Sequence, residues 1–220
     1  MKFFSGEQSN GAKIMKFYKK NNWGRMFVMR EPTPFEWEDW AFDNGAYIYW
    51  KRDVDFQEDD YKKRLEKAVK VKQPYLSVVP DKPTKGLESL KYSLEWRKKL
   101  PGDMNWYLAV QDGMTIRDVK PHLDKFKGIF LGGSSKFKGT AYYWCKLAHQ
   151  NDMKFHYGRA GTKRTIQHAK RIGADSADSA FPLWTKERQK NTVKLLNKNI
   201  SKSLFSNYFA DILPTNYKED

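Results

Sequence analysis

Two carboxylates in the stretch Arg171-Ile-Gly-Ala-Asp-Ser-Ala-Asp-Ser-Ala-Phe181, Asp175 and Asp178, sit among small residues just after a helix-like segment. Ser176, Ala177, Ser179 and Ala180 leave room for a reactant to approach closely. A carboxylate so placed can serve as a nucleophile if a second acidic group faces it, and Asp43 in Ala41-Phe-Asp-Asn-Gly-Ala-Tyr47 is the candidate. Such a pair suits displacement at an anomeric carbon. One carboxylate attacks to form a covalent glycosyl intermediate and the other moves the proton of the leaving or entering group.

Further polar groups suit a planar, hydrogen-bonding heterocycle. Asp81 can accept from adjacent ring N–H and amino groups, and Gln111 offers both a donor and an acceptor. Gly132-Gly133 lets a ring lie against the main chain, and Arg159 can hold a phosphate. Each has a plainer reading beside it. Asp43 before Asn-Gly also reads as a turn residue, Asp81 follows Pro80 as a turn would, and Asp175 or Asp178 could cap the following segment. His156, among apolar neighbours, also reads as a hydrogen-bonded core histidine.

These residues must be positioned by short strands alternating with helices. Strands are expected at Lys2–Ser5, Arg25–Met29, Trp40–Phe42, Leu76–Val79, Trp106–Val110, Gly128–Leu131, Lys154–Tyr157 and Gly173–Asp178. Helix-like segments fall at 12–22, around Tyr61 to Val69, Leu87 to Leu94, 116–125, around Cys145, around Ile166 and Ala169, and in a closing helix at about 186–205 carrying Val193, Leu196, Ile200 and Leu204. The pattern predicts a compact single-domain (β/α)8 barrel over residues 1–220, with an open doubly wound sheet as the rival. Placement favours the barrel. Asp43, Asp81, Gln111, Gly132-Gly133, Arg159 and Asp178 each lie at or just past the C-terminal end of an expected strand, and in a barrel those ends converge on one mouth. Trp106, Trp144 and Phe130 read as core; Tyr47, Phe137 and Trp184 fall beside the mouth, where they can stack on a base.

Composition narrows the partners. The chain has 220 residues and a formal net charge of +15, an excess that points to a polyanion, nucleic acid ahead of a membrane surface. Its single cysteine, Cys145, excludes an internal disulfide and a Cys-rich zinc site, and its spacing with Ala141, Trp144 and Ala148 makes it a buried structural thiol. No histidines stand at metal-ligand spacing, so no metal is expected. The apolar runs fall short of a membrane span and the start lacks a signal-peptide pattern, so a soluble cytoplasmic protein is expected.

In chain order the motifs are Phe42-Asp-Asn-Gly-Ala46, Pro80-Asp81, Val110-Gln-Asp-Gly113, Phe130-Leu-Gly-Gly133, His156-Tyr-Gly-Arg159 and Gly173-Ala-Asp-Ser-Ala-Asp178. Over roughly residues 40 to 181 this order resembles the guanine transglycosylase superfamily, most closely its small phage-encoded DNA branch, the DpdA-like enzymes. The resemblance implies a (β/α)8 barrel that exchanges guanine in DNA for a 7-deazaguanine such as 7-cyano-7-deazaguanine (preQ0), without a cofactor, in the host cytoplasm if phage-encoded. By motif, Asp178 resembles the nucleophile and Asp43 the general acid/base. Asp81, Gln111, Gly132 and Gly133 resemble base contacts, and His156 and Arg159 match by position. Asp175 is the alternative nucleophile. The tRNA enzymes of the superfamily carry a Cys/His zinc site after the nucleophile, and the absence of cysteine after Asp178 favours DNA. A hydrolase of the same N-glycosidic bond and an inert basic nucleic-acid-binding barrel are the competing expectations.

Overall fold

Buried side chains at successive positions give most strands two covered faces, and eight such strands close on themselves. The computed structural model describes residues 1–6 and 11–199. Its strands are β1 (Lys2–Gly6), β2 (Trp23–Phe27), β3 (Ala41–Phe42), β4 (Leu76–Val78), β5 (Trp106–Val110), β6 (Gly128–Leu131), β7 (Lys154–Tyr157) and β8 (Ser176–Asp178). Each pairs in parallel with the next, and β8 pairs with β1 to close the barrel. The helices are α1 (Ala12–Asn21), α2 (Ala46–Lys51), α3 (Glu58–Ala68), α4 (Gly86–Lys99), α5 (Ile116–Val119), α6 (Ala141–Gln150), α7 (Lys163–Arg171) and α8 (Lys186–Asn197). The expected barrel is the observed fold.

The core has two shells. Phe4, Met26, Ala41, Leu76, Val78, Tyr107 and Ala109 form a cluster drawn from strands alone, which is the barrel interior. Neighbouring strand residues of opposite parity, such as Phe3, Trp23, Phe27 and Leu108, pack with Tyr18, Tyr61, Trp96 and Trp144 of the helices. At Gly128 a Cβ would lie 2.4 Å from the Tyr107 ring, so only glycine lets that ring fill the interior.

Several boundaries differ from expectation for local reasons. β2 begins two residues early, at Trp23, because Asn22 ends α1 in the left-handed region (φ 52°) and the chain enters the sheet at once. Gly24, expected to bound that strand, lies within it opposite Phe4, whose ring would come within 2.7 Å of an added Cβ. Residues 173–175 precede β8, because Gly173 (φ 81°) and the bond from Ala174 N to Ala169 O finish α7. Pro121 turns the end of the 116–125 helix into a 3-10 turn, Lys120–Lys125. The short α2 escaped the helical pattern. The closing helix is described to Asn197, and its expected continuation through Ile200 and Leu204 lies outside the described residues.

The link from β2 to β3 has no helix and is organised by charge. Arg25 and Glu38 are 1% and 0% exposed and pair through Nη2–Oε2 at 2.6 Å and Nε–Oε1 at 2.7 Å. Arg25 Nη2 also donates to Thr33 O, and the guanidinium stacks near Phe27 and Phe35. Removing one member strands the other in an apolar setting. Glu38→Ala is therefore expected to lower the unfolding free energy by about 3–5 kcal/mol, read as a fall in the denaturant midpoint with an unchanged slope.

Candidate active site

Strand parity decides which carboxylate reaches the mouth. Asp178 ends β8 opposite Phe4 of β1, on the face shared with Ser176 and His156. Asp175 lies before β8 begins, at the other end of the barrel. Its Oδ2 accepts from Phe155 N–H (2.8 Å) and meets His149 Nε2 (2.9 Å), while Oδ1 accepts from Lys154 Nζ (3.2 Å). Burial works against ionisation of Asp175, but these donors outweigh it and its pKa is lowered. It is a structural ion-pair residue at the barrel floor, and Asp178 is the carboxylate at the mouth.

Asp178 is held on one side only. His156 Nε2 lies 3.0 Å and Arg159 N 2.9 Å from its Oδ1. With Nε2 protonated, the imidazole donates to Asp178 and Nδ1 accepts from the Ser176 hydroxyl at 2.8 Å. His156 is fully buried, stacked on Phe130 with ring centres 4.7 Å apart. His156 is thus a hydrogen-bonded core histidine whose second ring nitrogen reaches Asp178. Asp178 Oδ2 takes no hydrogen bond among the described residues, and the side chain is 15% exposed. The carboxylate is aimed, with one oxygen restrained and the other available.

Arg159 closes this half of the mouth. Its backbone is left-handed (φ 55°), which aims its N–H at Asp178. Its Nη2 donates to Gly133 O at 2.5 Å, and its guanidinium lies 4.5 Å from the Tyr47 ring centre across the mouth. Lys138, which the sequence gave no reason to single out, is buried beneath. Its Nζ donates to Gly158 O and lies over the Tyr157 ring, and its pKa is lowered to about 8 by burial and by Arg159, with Asp178 opposing.

The other half is built on β3, β4 and β5. Asp43 Oδ1 accepts from Gly45 N–H at 2.7 Å, the turn expected of Asp-Asn-Gly, with Gly45 left-handed at φ 82°. Asn44 links two strand ends, donating from Nδ2 to Val79 O (2.8 Å) and to Asp81 Oδ1 (2.9 Å). Arg64 of α3 clamps the same turn, donating to Val28 O, Asp43 O and Asn44 O. Its spacing from Tyr61 placed it on the apolar face of that helix, a sign that it reaches inward.

Two expected base contacts are otherwise engaged. Gln111 is buried and commits its amide to the β4–α4 loop: Oε1 accepts from Thr84 N–H (2.5 Å), and Nε2 approaches Ser89 Oγ (2.7 Å), Lys82 O (3.0 Å) and Asp81 Oδ2 (3.3 Å). It positions Asp81. The Gly132 N–H bonds Val110 O, continuing the β5–β6 ladder. Gly133, at φ 72°, packs so closely that a Cβ would lie 2.7 Å from Asp112 Oδ2, and Ser134 is tied to Asp112 through N–H and Oγ. Among the aromatics, Phe137 is buried between Trp144 and Gly133, whereas Tyr47 and Trp184 are 40% and 67% exposed. Trp106, Trp144 and Cys145 are buried, and Phe130 is partly buried inside the barrel.

The structure thus joins Asp178, His156, Arg159 and Gly133 in one network and Asn44, Asp81 and Gln111 in another, with Asp43 in the turn beside Asn44 and the Arg159–Tyr47 contact reaching between the two halves. A cleft of about 320 Å³ lined by Met1, Trp23, Val193 and Leu196 opens at the opposite end of the barrel. Among the described residues no three His, Cys, Asp or Glu side chains cluster as a metal ion would require, and no helix is long and apolar enough to cross a membrane.

Fold and mouth together define a closed eight-stranded α/β barrel whose strand ends present carboxylates on one side and basic groups on the other. Compared with models of protein families and with curated proteins, the chain matches none.

Asp81 is the group in this mouth whose protonation is most altered. Burial raises its pKa from 3.8 to about 7, Asp43 adds to the rise, and the Asn44 hydrogen bond opposes it. The folded state therefore holds this proton more tightly than the unfolded chain, so its contribution to stability is present at low pH and lost as pH rises from about 4 to 7. A carboxyl titration followed by NMR is expected to show Asp81 with a midpoint near 7, moving down in Asp43→Asn as the neighbouring charge is removed.

Proposed function

We propose that the chain is a DNA-guanine transglycosylase that exchanges guanine for a 7-deazaguanine through an Asp178-linked intermediate. The observation that carries this reading is the one-sided restraint of Asp178: Oδ1 held by His156 and Arg159, Oδ2 available for attack. The sequence resemblance and the carboxylates at the C-terminal ends of β3 and β8 support the same chemistry.

Asp178 Oδ2 attacks C1′ of the target deoxyguanosine from the face opposite the base. The C1′–N9 bond breaks, its electron pair passes to the purine, and Asp43 delivers the proton that guanine carries away. The incoming 7-deazaguanine occupies the vacated space. Asp43 takes the proton from its N9–H as that nitrogen attacks C1′, and the ester to Asp178 is released. Two inversions give retention. Entering and leaving bases present the same ring N–H and amino donors, so an ionised Asp81 accepts from both. No redox step occurs, and every atom is supplied by the two bases and the strand.

The target base must leave the stack to present C1′. Basic groups around the mouth favour the phosphate backbone without reading sequence.

Labelled guanine or 7-cyano-7-deazaguanine supplied with DNA is expected to enter the polymer, and Asp178→Ala to reduce incorporation by on the order of 10^4-fold. Label entering tRNA instead would overturn the DNA assignment. Release of guanine without incorporation would mark a hydrolase, and tight DNA binding with neither would mark an inert barrel. Guanine affinity is expected to strengthen as pH rises through about 7, where Asp81 ionises, and to lose that dependence in Asp81→Asn; equilibrium dialysis across this range tests it.

A further inference from the structure

Charge is unevenly divided around the mouth. Segments 132–140, 158–164 and 179–190, which follow β6, β7 and β8, carry eight Lys or Arg residues and one Glu. Segments 43–45, 79–85 and 111–115, which follow β3, β4 and β5, carry Asp43, Asp81 and Asp112 against Lys82 and Lys85. A polyanion is drawn to the first half and repelled by the carboxylates of the second.

The same rim exposes aromatic rings beside cations. Trp184 ends the 3-10 turn Phe181–Trp184 that directly follows the nucleophile strand, and it is 67% exposed. Arg188, from the first turns of α8, places its guanidinium carbon 4.0 Å from the Phe181 ring centre and 5.2 Å from that of Trp184, fixing the indole at the surface. Across the mouth Tyr47 is 40% exposed beneath Arg159, with Trp50 against it at 5.5 Å. Large rings left in water beside fixed cations match the chemistry of unpaired bases on a phosphate backbone: the rings stack and the cations bind phosphate. Paired bases keep their faces within the duplex and offer neither ring a partner.

We infer that the rim is a single-strand binding surface, in which Trp184 with Arg188, and Tyr47 with Arg159, stack unpaired bases on either side of the nucleotide delivered to Asp178. This rests on the reading of the mouth as a DNA site and specifies the strand state it accepts. It does not depend on the chemistry at Asp178.

The test uses a fluorescent thymidine homopolymer, which holds no guanine to exchange, and the same strand annealed to its complement. Anisotropy titrations are run on the full chain, on Trp184→Ala and Trp184→Phe, and on each in an Asp178→Ala background. Trp184→Ala is expected to weaken single-strand binding by about 10-fold, with an unchanged salt slope, while duplex binding stays constant. Trp184→Phe is expected to recover most of the loss, in either background. Arg188→Gln is expected to weaken both forms and to reduce the salt slope by about one.

Equal single-strand affinity in Trp184→Ala and parent would overturn the proposal. So would tighter binding of duplex than of single strand. Concentration-dependent self-association that Trp184→Ala abolishes, with homopolymer affinity intact, would assign the surface to a second copy of the chain and overturn it as well. Failure of guanine exchange alongside Trp184-dependent homopolymer binding would remove the reaction and leave the surface standing. Exchange that proceeds with Trp184 irrelevant to binding would do the reverse.

Discussion

The pairing of β8 with β1 is the constraint on which the rest depends. It sets Asp178 opposite Phe4 and brings the C-terminal ends of all eight strands to one rim. Without closure, β8 would be an edge, still paired with β7 and its His156 but open on the side where Phe4 of β1 now lies. Strand parity then fixes which side chains point inward. Ser176, His156 and Asp178 share the inner face because the side-chain period of a strand is two. Asp175, an odd number of residues from Asp178 and before the strand starts, is directed elsewhere.

The mouth divides its labour by charge. On the β6–β8 side, buried Lys138 and rim Arg159 place positive charge beside Asp178. On the β3–β5 side, desolvation of the partly buried Asp81 and the neighbouring Asp43 raise the cost of ionising Asp81. The Asn44 amide offsets part of that cost by bonding Asp81 directly. Hydrogen bonds also brace the loops: Gln111 Nε2, Asn44 Nδ2 and the Arg64 Nη groups donate to loop backbone, and the loops hold the carboxylates in turn.

Much of this was legible in the sequence where short-range rules govern. Turn residues at strand ends, such as Asp43-Asn-Gly45 and Gly132-Gly133, mark the rim, and apolar runs mark the strands. What remained hidden depends on three-dimensional proximity. Gln111 had the right position for a ligand contact, yet the β4–α4 loop reaches it first. Lys138 stands in an ordinary Lys-Phe-Lys-Gly run and becomes buried only because β7 ends beside it. The Arg25–Glu38 pair spans a helix-free connection, where no periodicity exists to announce it. Asp175 and Asp178 are separated in function by where β8 begins, a boundary that depends on how α7 terminates.

Of the two donors that reach Asp178 from the β7 side, the one beyond the strand end is a main-chain N–H, set by a left-handed turn at Arg159. The orientation of Asp178 and the charge on the rim are therefore separable traits of one residue. Glycine or asparagine at position 159 would adopt that turn with less strain and keep the N–H in place, while deleting the cation that reaches Tyr47 and Gly133. Side-chain drift at this position can thus change the charge of the rim while Asp178 stays where it is.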